Sequence, residues 1–535
     1  MVRIDPYDGA PVIHLSHDDG RTRVRGEHEA LLGTVTKRVD GQPVEGCYAG
    51  WRWDGKTLHV YACRHGVFPL YYACSDGAIA VSSSIPALLS QGVSAALDDD
   101  ALAVFLRLGF FLADDTPVRA IRRVPPNAEI RWTDGKAQIG GYYYFPPRHD
   151  LSKSAAIDAF NDAFDAAIAK RLPAEDFALP LSGGRDSRHI AFALHDARVS
   201  PRFYVTAEHL PPRFSEDVPI AGRLAEALGA PHVIVPQSPS RFEQERDHDP
   251  LVNFSSFEHA WALPLARFLR NNVGETYDGL AGGPVSNGTY LDAEKRDLFE
   301  RSDLRPLAAR LIVEWSWLGG NEALAESLQP DFYNRVPLER AVARLVTELE
   351  RHRAAVNPVQ SFVFWNRVRA GNALMTYGVF RGVSVVSPYM DIDVIALLNG
   401  LPPEHFIDHD FHDIAIRRRY PRFAEIPFEG KQIRWARHRL GFMRYGRELF
   451  RFAAGRKHSD IVDLNFLRWR ALRLGLDGRY NKARPWKPSR LHFLLRLEAL
   501  TGESRVVPEL ATVGPHAHET PGHPVDSPPR LAANL

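Results

Sequence analysis

The stretch Ser182-Gly183-Gly184-Arg185-Asp186-Ser187 lies between an apolar run at residues 177–181 and a helix-like segment at residues 189–194. This arrangement predicts a strand, a glycine turn and a helix. Glycine has no Cβ and tolerates positive φ, so the backbone N–H groups of such a turn can approach phosphate oxygens closely. The N-terminal end of the following helix attracts the same anion. The stretch therefore predicts a phosphate-binding loop.

The side chains of this loop suit a nucleotide that carries magnesium. Ser182 and Ser187 can donate hydroxyl hydrogen bonds to phosphate oxygens, and Asp186 can hold a Mg²⁺ ion that bridges two phosphates. Short glycine motifs also recur by chance as plain strand-to-helix turns. The segments around the loop decide between these two interpretations.

Strands alternate with helices after the loop. Residues 202–206 and 232–235 have the pattern of strands, and residues 216–229 have the pattern of an amphipathic helix that ends on glycine. Such alternation predicts a parallel sheet, in which ligands bind at the carboxyl ends of the strands. The loop at residues 182–187 falls at that place.

The first part of the chain has a different pattern. Residues 48–53, 57–61 and 78–81 read as short strands separated by turns, which predicts an antiparallel sheet. A helix with an acidic start is predicted at residues 98–109, and Ser152 is the predicted cap of the first helix of a second domain. We therefore predict an α/β protein, with an α+β N-terminal domain followed by a parallel-sheet domain with added helices.

The composition is that of a globular protein. The 535 residues carry a net charge of +1 and are 45% hydrophobic, which fits about two to four domains and argues against a dedicated nucleic-acid binder. Three cysteines are too few, and odd in number, for a disulfide framework. No run approaches the ~20 apolar residues that span a bilayer, and the first residues lack a secretory signal. We predict a cytoplasmic protein with no membrane or nucleic-acid partner.

Two motifs resemble the asparagine synthetase family. Residues 181–187, Leu-Ser-Gly-Gly-x-Asp-Ser, are similar to the pyrophosphate loop of its ATP-pyrophosphatase domain. Residues 64–72, which end in Pro-Leu-Tyr-Tyr, are similar together with residues 80–88 to a signature of its glutaminase domain. The motifs stand in the order that the family has.

The resemblance implies a domain organisation. A degenerate glutaminase-like domain of the N-terminal nucleophile type is expected at residues 1–147, and an ATP-pyrophosphatase domain at residues 151–500. Residues 507–535 are rich in Pro and His and are predicted to be a disordered tail.

The resemblance also implies a chemistry, with ATP and Mg²⁺ as cofactors: a carboxylate is adenylated, pyrophosphate is released and an amine then attacks to form an amide. Arg439 stands at the position of the family's charge-stabilising lysine, and Lys431 is the nearest lysine. Asp278 is the expected second metal ligand and a catalytic residue beside these two cations. The residues that the resemblance assigns to ATP and Mg²⁺ are Leu181, Ser182, Gly183, Gly184, Asp186, Ser187, Val205 and Gly279, with Asp186 and Asp278 as the metal ligands.

The sequence departs from the family at two places. Val2 stands where the glutaminases have their nucleophilic cysteine, so we predict no glutamine hydrolysis, and Cys47 is expected to pack as a small hydrophobic residue. Leu280 and Gly283 stand where the family has acidic residues in a second loop. If that change removes catalysis, the chain is a nucleotide-binding protein without ligase activity.

Three sources of the amine are open. Free ammonia would give an asparagine-type product, an amine within the substrate would resemble β-lactam synthetases, and a peptide N-terminus would resemble lasso-peptide cyclases. The expected partners are accordingly ATP, an amino-acid or peptide carboxylate, and ammonia or a substrate amine. A second copy of the chain or a precursor peptide is the expected protein partner.

Overall fold

The computed structural model describes residues 9–209, 216–315, 320–430, 439–480 and 488–503. This part of the chain contains two antiparallel sheets followed by one parallel sheet with many helices around it. The predicted fold class is therefore confirmed. The predictions for Val2, Lys431 and the tail at residues 507–535 lie outside the described residues.

The antiparallel sheets are built from strands β1 (Val12–Asp18), β2 (Arg21–Gly26), β3 (Glu29–Val39), β4 (Gln42–Trp53), β5 (Thr57–Ala62), β6 (Tyr71–Ser75), β7 (Ala78–Ser82), β8 (Arg122–Arg123), β9 (Glu129–Thr133) and β10 (Lys136–Gly140). Their orders are β2-β1-β7-β6-β8 and β10-β9-β5-β4-β3. Ile13 and Ile79 of one sheet share a buried cluster with Trp51 and Trp132 of the other. The two sheets therefore pack face to face over a common core.

The strands expected at residues 48–53, 57–61 and 78–81 are confirmed as parts of β4, β5 and β7. Strands β1, β2 and β3 were not predicted. In β2 the side chains are mostly exposed arginines, so this edge strand has no apolar alternation that would mark it in the sequence.

The parallel sheet consists of β11 (Phe177–Pro180), β12 (Phe203–Ala207), β13 (His232–Val235), β14 (Glu275–Tyr277) and β15 (Ser384–Val386). Its order is β13-β12-β11-β14-β15, and each neighbouring pair runs parallel. The chain moves from β11 to one side and later returns to β14 on the other side. The carboxyl end of β11 is therefore the point where the strand order reverses, which is where open parallel sheets bind ligands.

The helices of the described residues surround these sheets. They are α1 (Ile85–Ser90), α2 (Asp99–Leu108), α3 (Lys153–Ala169), α4 (Asp186–Asp196), α5 (Asp217–Leu228), α6 (Arg241–His248), α7 (Ala262–Asn272), α8 (Gly282–Ser286), α9 (Ala293–Glu300), α10 (Leu304–Trp315), α11 (Asn321–Ser327), α12 (Pro330–Arg335), α13 (Leu338–Glu350), α14 (Pro358–Phe362), α15 (Ile392–Gly400), α16 (Phe411–Arg419), α17 (Arg439–Ala454), α18 (Leu464–Leu476) and α19 (Pro488–Glu503). Two π-helical stretches, Val363–Asn372 and Met375–Val379, follow α14.

The predicted helix ends agree with the structure. The Asp98 side chain caps α2, and the Ser152 side chain caps α3 by accepting from the Ala155 N–H group. Gly229 ends α5 in the left-handed conformation, with φ 73°. These ends depend on local hydrogen bonds, which is why the sequence alone predicts them. None of the helices in the described ranges is long and apolar enough to cross a lipid bilayer.

A buried arginine joins the antiparallel sheets to the later part of the chain. Arg369 lies in the first π-helical stretch and is fully buried. Its guanidinium donates to the carbonyl oxygens of Gly66, Ala113 and Val124 at 3.2, 2.8 and 2.8 Å, and to Asp114 Oδ1 at 2.8 Å. All of these acceptors belong to the N-terminal part, so one side chain holds several of its loops at once.

Candidate functional site

The loop at residues 182–187 runs from the carboxyl end of β11 to the start of α4. Just before it, the Leu181 N–H group donates to the Val205 carbonyl at 2.9 Å, and Thr206 Oγ1 donates to the Leu181 carbonyl at 2.7 Å. Leu181 and Val205 therefore lie side by side, with the loop opening directly beyond them. The N-terminal end of α4 adds its partial positive charge at the same place.

Side-chain oxygens hold the backbone donors of this loop. The Gly184 N–H group donates to Ser182 Oγ at 3.1 Å, and the Ser182 N–H group donates to Ser187 Oγ at 3.1 Å. The Gly183 N–H group donates to Asp217 Oδ1 at 2.6 Å. Hydroxyl and carboxylate oxygens therefore satisfy these three backbone donors, and phosphate binding by the loop stays a prediction.

Gly183 lies in a closely packed place and does not have a backbone conformation that favours glycine. Neither Gly183 nor Gly184 is among the described residues with positive φ, so the conformational part of the sequence argument is wrong. A Cβ at Gly183 would lie 3.0 Å from Glu429 Cβ and 3.2 Å from Asp217 Oδ1. A side chain at this position would push these neighbours by a few tenths of an ångström.

Asp186 joins this loop to the one that follows β14. Its Oδ2 accepts a hydrogen bond from the Gly283 N–H group at 3.0 Å. A Cβ at Gly279 would lie 2.6 Å from Asp186 Cβ, and one at Gly282 would lie 2.5 Å from its Cγ. The structure therefore brings Asp186 and Gly279 together, and the glycines of the second loop make room for the carboxylate.

A buried histidine lies beside this carboxylate. His412 Nδ1 is 3.5 Å from Asp186 Oδ1 and 2.9 Å from Ser286 Oγ. Burial lowers the pKa of His412 to about 3, so its imidazole is neutral near pH 7. It contributes no positive charge beside Asp186.

Asp278 has a different set of partners. Its Oδ1 accepts hydrogen bonds from the Leu280 N–H group and from Thr376 Oγ1, both at 2.9 Å. Burial raises the pKa of the Asp278 carboxyl, and these two hydrogen bonds partly oppose that rise. Its role as a second metal ligand stays a prediction.

We expect Asp278→Asn to raise the midpoint of thermal unfolding at pH 7. The substitution keeps the Oδ1 acceptor and removes a charge that burial disfavours. Because the folded pKa is raised, the cost of this charge disappears as the pH falls toward the ~3.9 of an unfolded aspartate. Unfolding midpoints at pH 7, 5.5 and 4 should therefore converge for the two proteins. A lower midpoint for the variant at pH 7 would contradict the expectation.

Of the two predicted cations, Arg439 lies within the described residues and Lys431 does not. Arg439 begins α17, where its Nε lies 3.3 Å from Asp477 Oδ1 and its side chain is 49% exposed. The structure thus places it in an open ion pair, and its contact with a nucleotide stays a prediction. Lys431 lies in a segment that the structure does not describe.

A cavity of about 380 Å³ lies between the antiparallel sheets and the later part of the chain. It is lined by Gly9, Ala10, Pro11, Leu32, Gly33, Thr34, Phe68, Pro69, Ser83, Thr376, Tyr377, Phe380, Arg381, Gly382, Val383, Ser384 and Val385. No cysteine is among these lining residues.

Cys47 is buried in β4, as expected, and burial raises the pKa of its thiol to about 12, so it is not a thiolate nucleophile.

We expect the purified protein to release no glutamate from glutamine. The only cysteines of the chain are Cys47, Cys63 and Cys74, all of them within the described residues, and burial also raises the pKa of the Cys74 thiol. A coupled glutamate dehydrogenase assay against a buffer blank measures the activity, with Cys47→Ala as the control variant. Steady glutamate production by the unaltered protein would show that the expectation is wrong.

Comparisons with known proteins bear on the N-terminal part. Residues 15–143 match the model of a glutamine amidotransferase domain. No curated protein matches the chain. Among solved structures, the allosteric regulatory enzyme of purine biosynthesis is 12% identical, with 38% of this chain and 44% of that chain covered and a TM-score of 0.13. Residues 15–143 contain nearly all of the two antiparallel sheets, so this part of the chain is similar to a glutamine amidotransferase domain.

One group of residues beside the loop was missed by the sequence analysis. Ligand atoms of His209, Asp217 and Glu429 all lie within 4.8 Å of one another. His209 follows β12, Asp217 begins α5 and Glu429 lies far along the chain. No local spacing in the sequence connects them, since only the tertiary structure brings the third residue to the first two.

Proposed function

We propose that the chain forms an amide bond in an ATP-dependent reaction of the asparagine synthetase type. A carboxylate would be adenylated with release of pyrophosphate, and an amine would then displace AMP. The observation that carries the proposal is the loop at residues 182–187, which opens where the strand order of the parallel sheet reverses. Asp186 at the start of α4 and the glycine loop after β14 meet there.

The residues present fit a triphosphate. The Ser182 and Gly184 N–H groups donate to hydroxyl oxygens, which phosphate oxygens could replace. Ser187 adds a hydroxyl, and α4 directs its N-terminal end toward the bound charge. These donors are neutral, and the loop's one guanidinium, that of Arg185, is already paired with Asp413. A bound cation would therefore help to balance an anion of about four charges.

Asp186 is the residue that would hold this cation. Mg²⁺ prefers carboxylate and phosphate oxygens, and it is usually held by one or two carboxylates together with the substrate. The Asp186 side chain is 31% exposed, and its Oδ2 is oriented by the Gly283 N–H group. When bound there, Mg²⁺ would neutralise phosphate charge and favour the departure of pyrophosphate.

The amine would come from outside the N-terminal part. Burial raises the pKa of the Cys47 and Cys74 thiols in the amidotransferase-type region, and the third cysteine, Cys63, is buried. Free ammonia, an amine within the substrate and a peptide N-terminus are the three candidate donors. Each gives a product of different mass, so the product identifies the donor.

Carboxylate-dependent exchange of labelled pyrophosphate into ATP is the test. The protein is incubated with ATP, Mg²⁺ and a panel of amino acids and short peptides, with and without ammonium, and the products are weighed by mass spectrometry. We expect one class of carboxylate to drive exchange. If nucleotide binds and no member of a broad panel drives exchange, the second candidate below replaces this one.

The second candidate is a nucleotide-binding protein that does not form amide bonds. It is favoured by the loop after β14, where Leu280 is buried and Gly283 uses its N–H group to hold Asp186. No acidic side chain stands at either position. Calorimetric titration with ATP, followed by the same carboxylate panel, distinguishes this candidate, because it predicts ATP binding without pyrophosphate release whichever carboxylate is added.

A further inference from the structure

Three side chains of types that can bind metal ions, those of His209, Asp217 and Glu429, meet beside Gly183. None of them has a role in the proposed reaction. His209 Nε2 is hydrogen-bonded to Asp217 Oδ2 and lies 4.0 Å from Glu429 Oε1. The side chains of His209, Asp217 and Glu429 are only 9, 5 and 7% exposed. Their ligand atoms all fall within 4.8 Å of one another. They therefore form a compact, nearly enclosed set of one nitrogen and two oxygen donors.

Other contacts orient these ligands. Asp217 Oδ1 accepts from the Gly183 N–H group at 2.6 Å, which turns its Oδ2 toward His209. The Glu429 N–H group donates to the Gly183 carbonyl at 2.9 Å. The His209 ring packs edge-on against Trp261, with the ring centroids 6.0 Å apart. Such contacts outside the donor atoms are typical of built metal sites, because they hold the ligands in position before the ion arrives.

The donor set suits a divalent cation. Carboxylate oxygens and an imidazole nitrogen are both common ligands of divalent metal ions, and here they lie close together. An imidazole ligand selects transition metals such as Zn²⁺ and Mn²⁺ over Mg²⁺ and Ca²⁺, which prefer oxygen ligands alone.

The geometry is close to what such an ion requires. Metal–ligand bonds of about 2.0–2.2 Å place the donors of a tetrahedral site roughly 3.4 Å apart. In the structure the three ligand atoms lie within 4.8 Å of one another. Small side-chain rotations would bring them to the separation of roughly 3.4 Å that a tetrahedral site has. Three protein ligands also leave a coordination position open for water or a phosphate oxygen.

We propose that His209, Asp217 and Glu429 bind a divalent transition-metal ion beside the phosphate loop. The ion would link the end of β12, the start of α5 and the segment at Glu429, and it would hold the Gly183 backbone between them. This site is separate from the magnesium site at Asp186. The proposal does not rest on the proposed reaction, because the metal alone can be measured without any nucleotide.

The experiment uses the full-length protein, stripped with a chelator and then dialysed against Zn²⁺ or Co²⁺. Metal content by inductively coupled plasma mass spectrometry should approach one ion per chain. Glu429→Gln and His209→Gln keep the size of each side chain and should weaken the affinity by at least ~10–100-fold, as loss of a ligand or of its support does. His458→Gln is the matched control, because His458 forms a similar His–Asp pair with Asp460 that is 77% exposed, and it should leave binding unchanged.

A second measurement, the visible spectrum of Co²⁺ bound to the unaltered protein, does not depend on how the variants fold. Bound Co²⁺ in the unaltered protein should give the strong visible bands of a four- or five-coordinate site, and added Zn²⁺ should remove them. Asp186→Asn should leave these bands unchanged. The proposal would be overturned by the spectrum of fully hydrated Co²⁺ or by a protein that retains no metal. It would also be overturned if both glutamine variants bound the metal as tightly as the unaltered protein.

Discussion

Asp186→Asn should lower carboxylate-dependent pyrophosphate release at least ~100-fold, which is the usual effect of removing one strong electrostatic contact from a reacting site. ATP brings about four negative charges to a loop whose N–H and hydroxyl donors are neutral and whose one guanidinium, that of Arg185, is paired with Asp413. The carboxylate of Asp186 is the anionic group at the start of α4 that can hold a neutralising cation there. Asparagine keeps the size and the Oδ acceptor for the Gly283 N–H group, so the variant isolates the charge.

The matched control for this variant is Asp196→Asn. Asp196 ends the same helix, pairs with Arg422 at the surface and is 43% exposed. We expect it to leave pyrophosphate release unchanged, and both variants should unfold within a few degrees of the unaltered protein. Normal turnover of ATP by Asp186→Asn would show that the proposed mechanism is wrong. If exchange falls and calorimetric ATP binding persists, the effect lies in the chemistry and not in the folding of the loop.

Arg369→Met should destabilise the folded protein by about 3–5 kcal/mol. The guanidinium is fully buried, and it donates to three carbonyl oxygens and to Asp114. Methionine fills much of the volume and satisfies none of these acceptors, so they lose their partners inside the protein. Arg369→Lys should recover little of the loss, since an ammonium group cannot span the same planar set of acceptors.

The control for this prediction is Arg353→Met. Arg353 is 44% exposed and pairs with Glu350 one turn earlier on the surface, so its loss should change stability by no more than about 0.5 kcal/mol. Denaturant unfolding followed by fluorescence and by circular dichroism measures both variants. A change below about 1 kcal/mol for Arg369→Met would contradict the importance given to this contact.

The Arg369 contact gives the amidotransferase-type region a structural role. Its acceptors lie in the N-terminal part, and the Asn366 side chain of the same π-helical stretch accepts from the Ala113 N–H group at 2.7 Å. Thr34 Oγ1 of β3 also donates to the Val385 carbonyl of β15, at 3.2 Å. The region therefore supports the parallel sheet directly. This structural role does not depend on glutamine hydrolysis.

Some features of this protein were determined by local sequence. The alternation of strands and helices after residue 177 predicted the parallel sheet and placed the loop at its carboxyl edge. The cap at Ser152, the acidic start of the helix at residue 98 and the helix end at Gly229 were also predicted, because each depends on interactions within one turn of the chain. Patterns that span a few residues are enough for such features.

The tertiary structure alone decided how the site is assembled. It showed that Asp217 and Glu429 approach Gly183 closely and that Gly183 has no positive φ. It brought Asp186 to the second glycine loop and formed the cluster at His209. These contacts join residues that are far apart in the sequence, and packing between separate elements, which leaves no periodic signal along the chain, determines them.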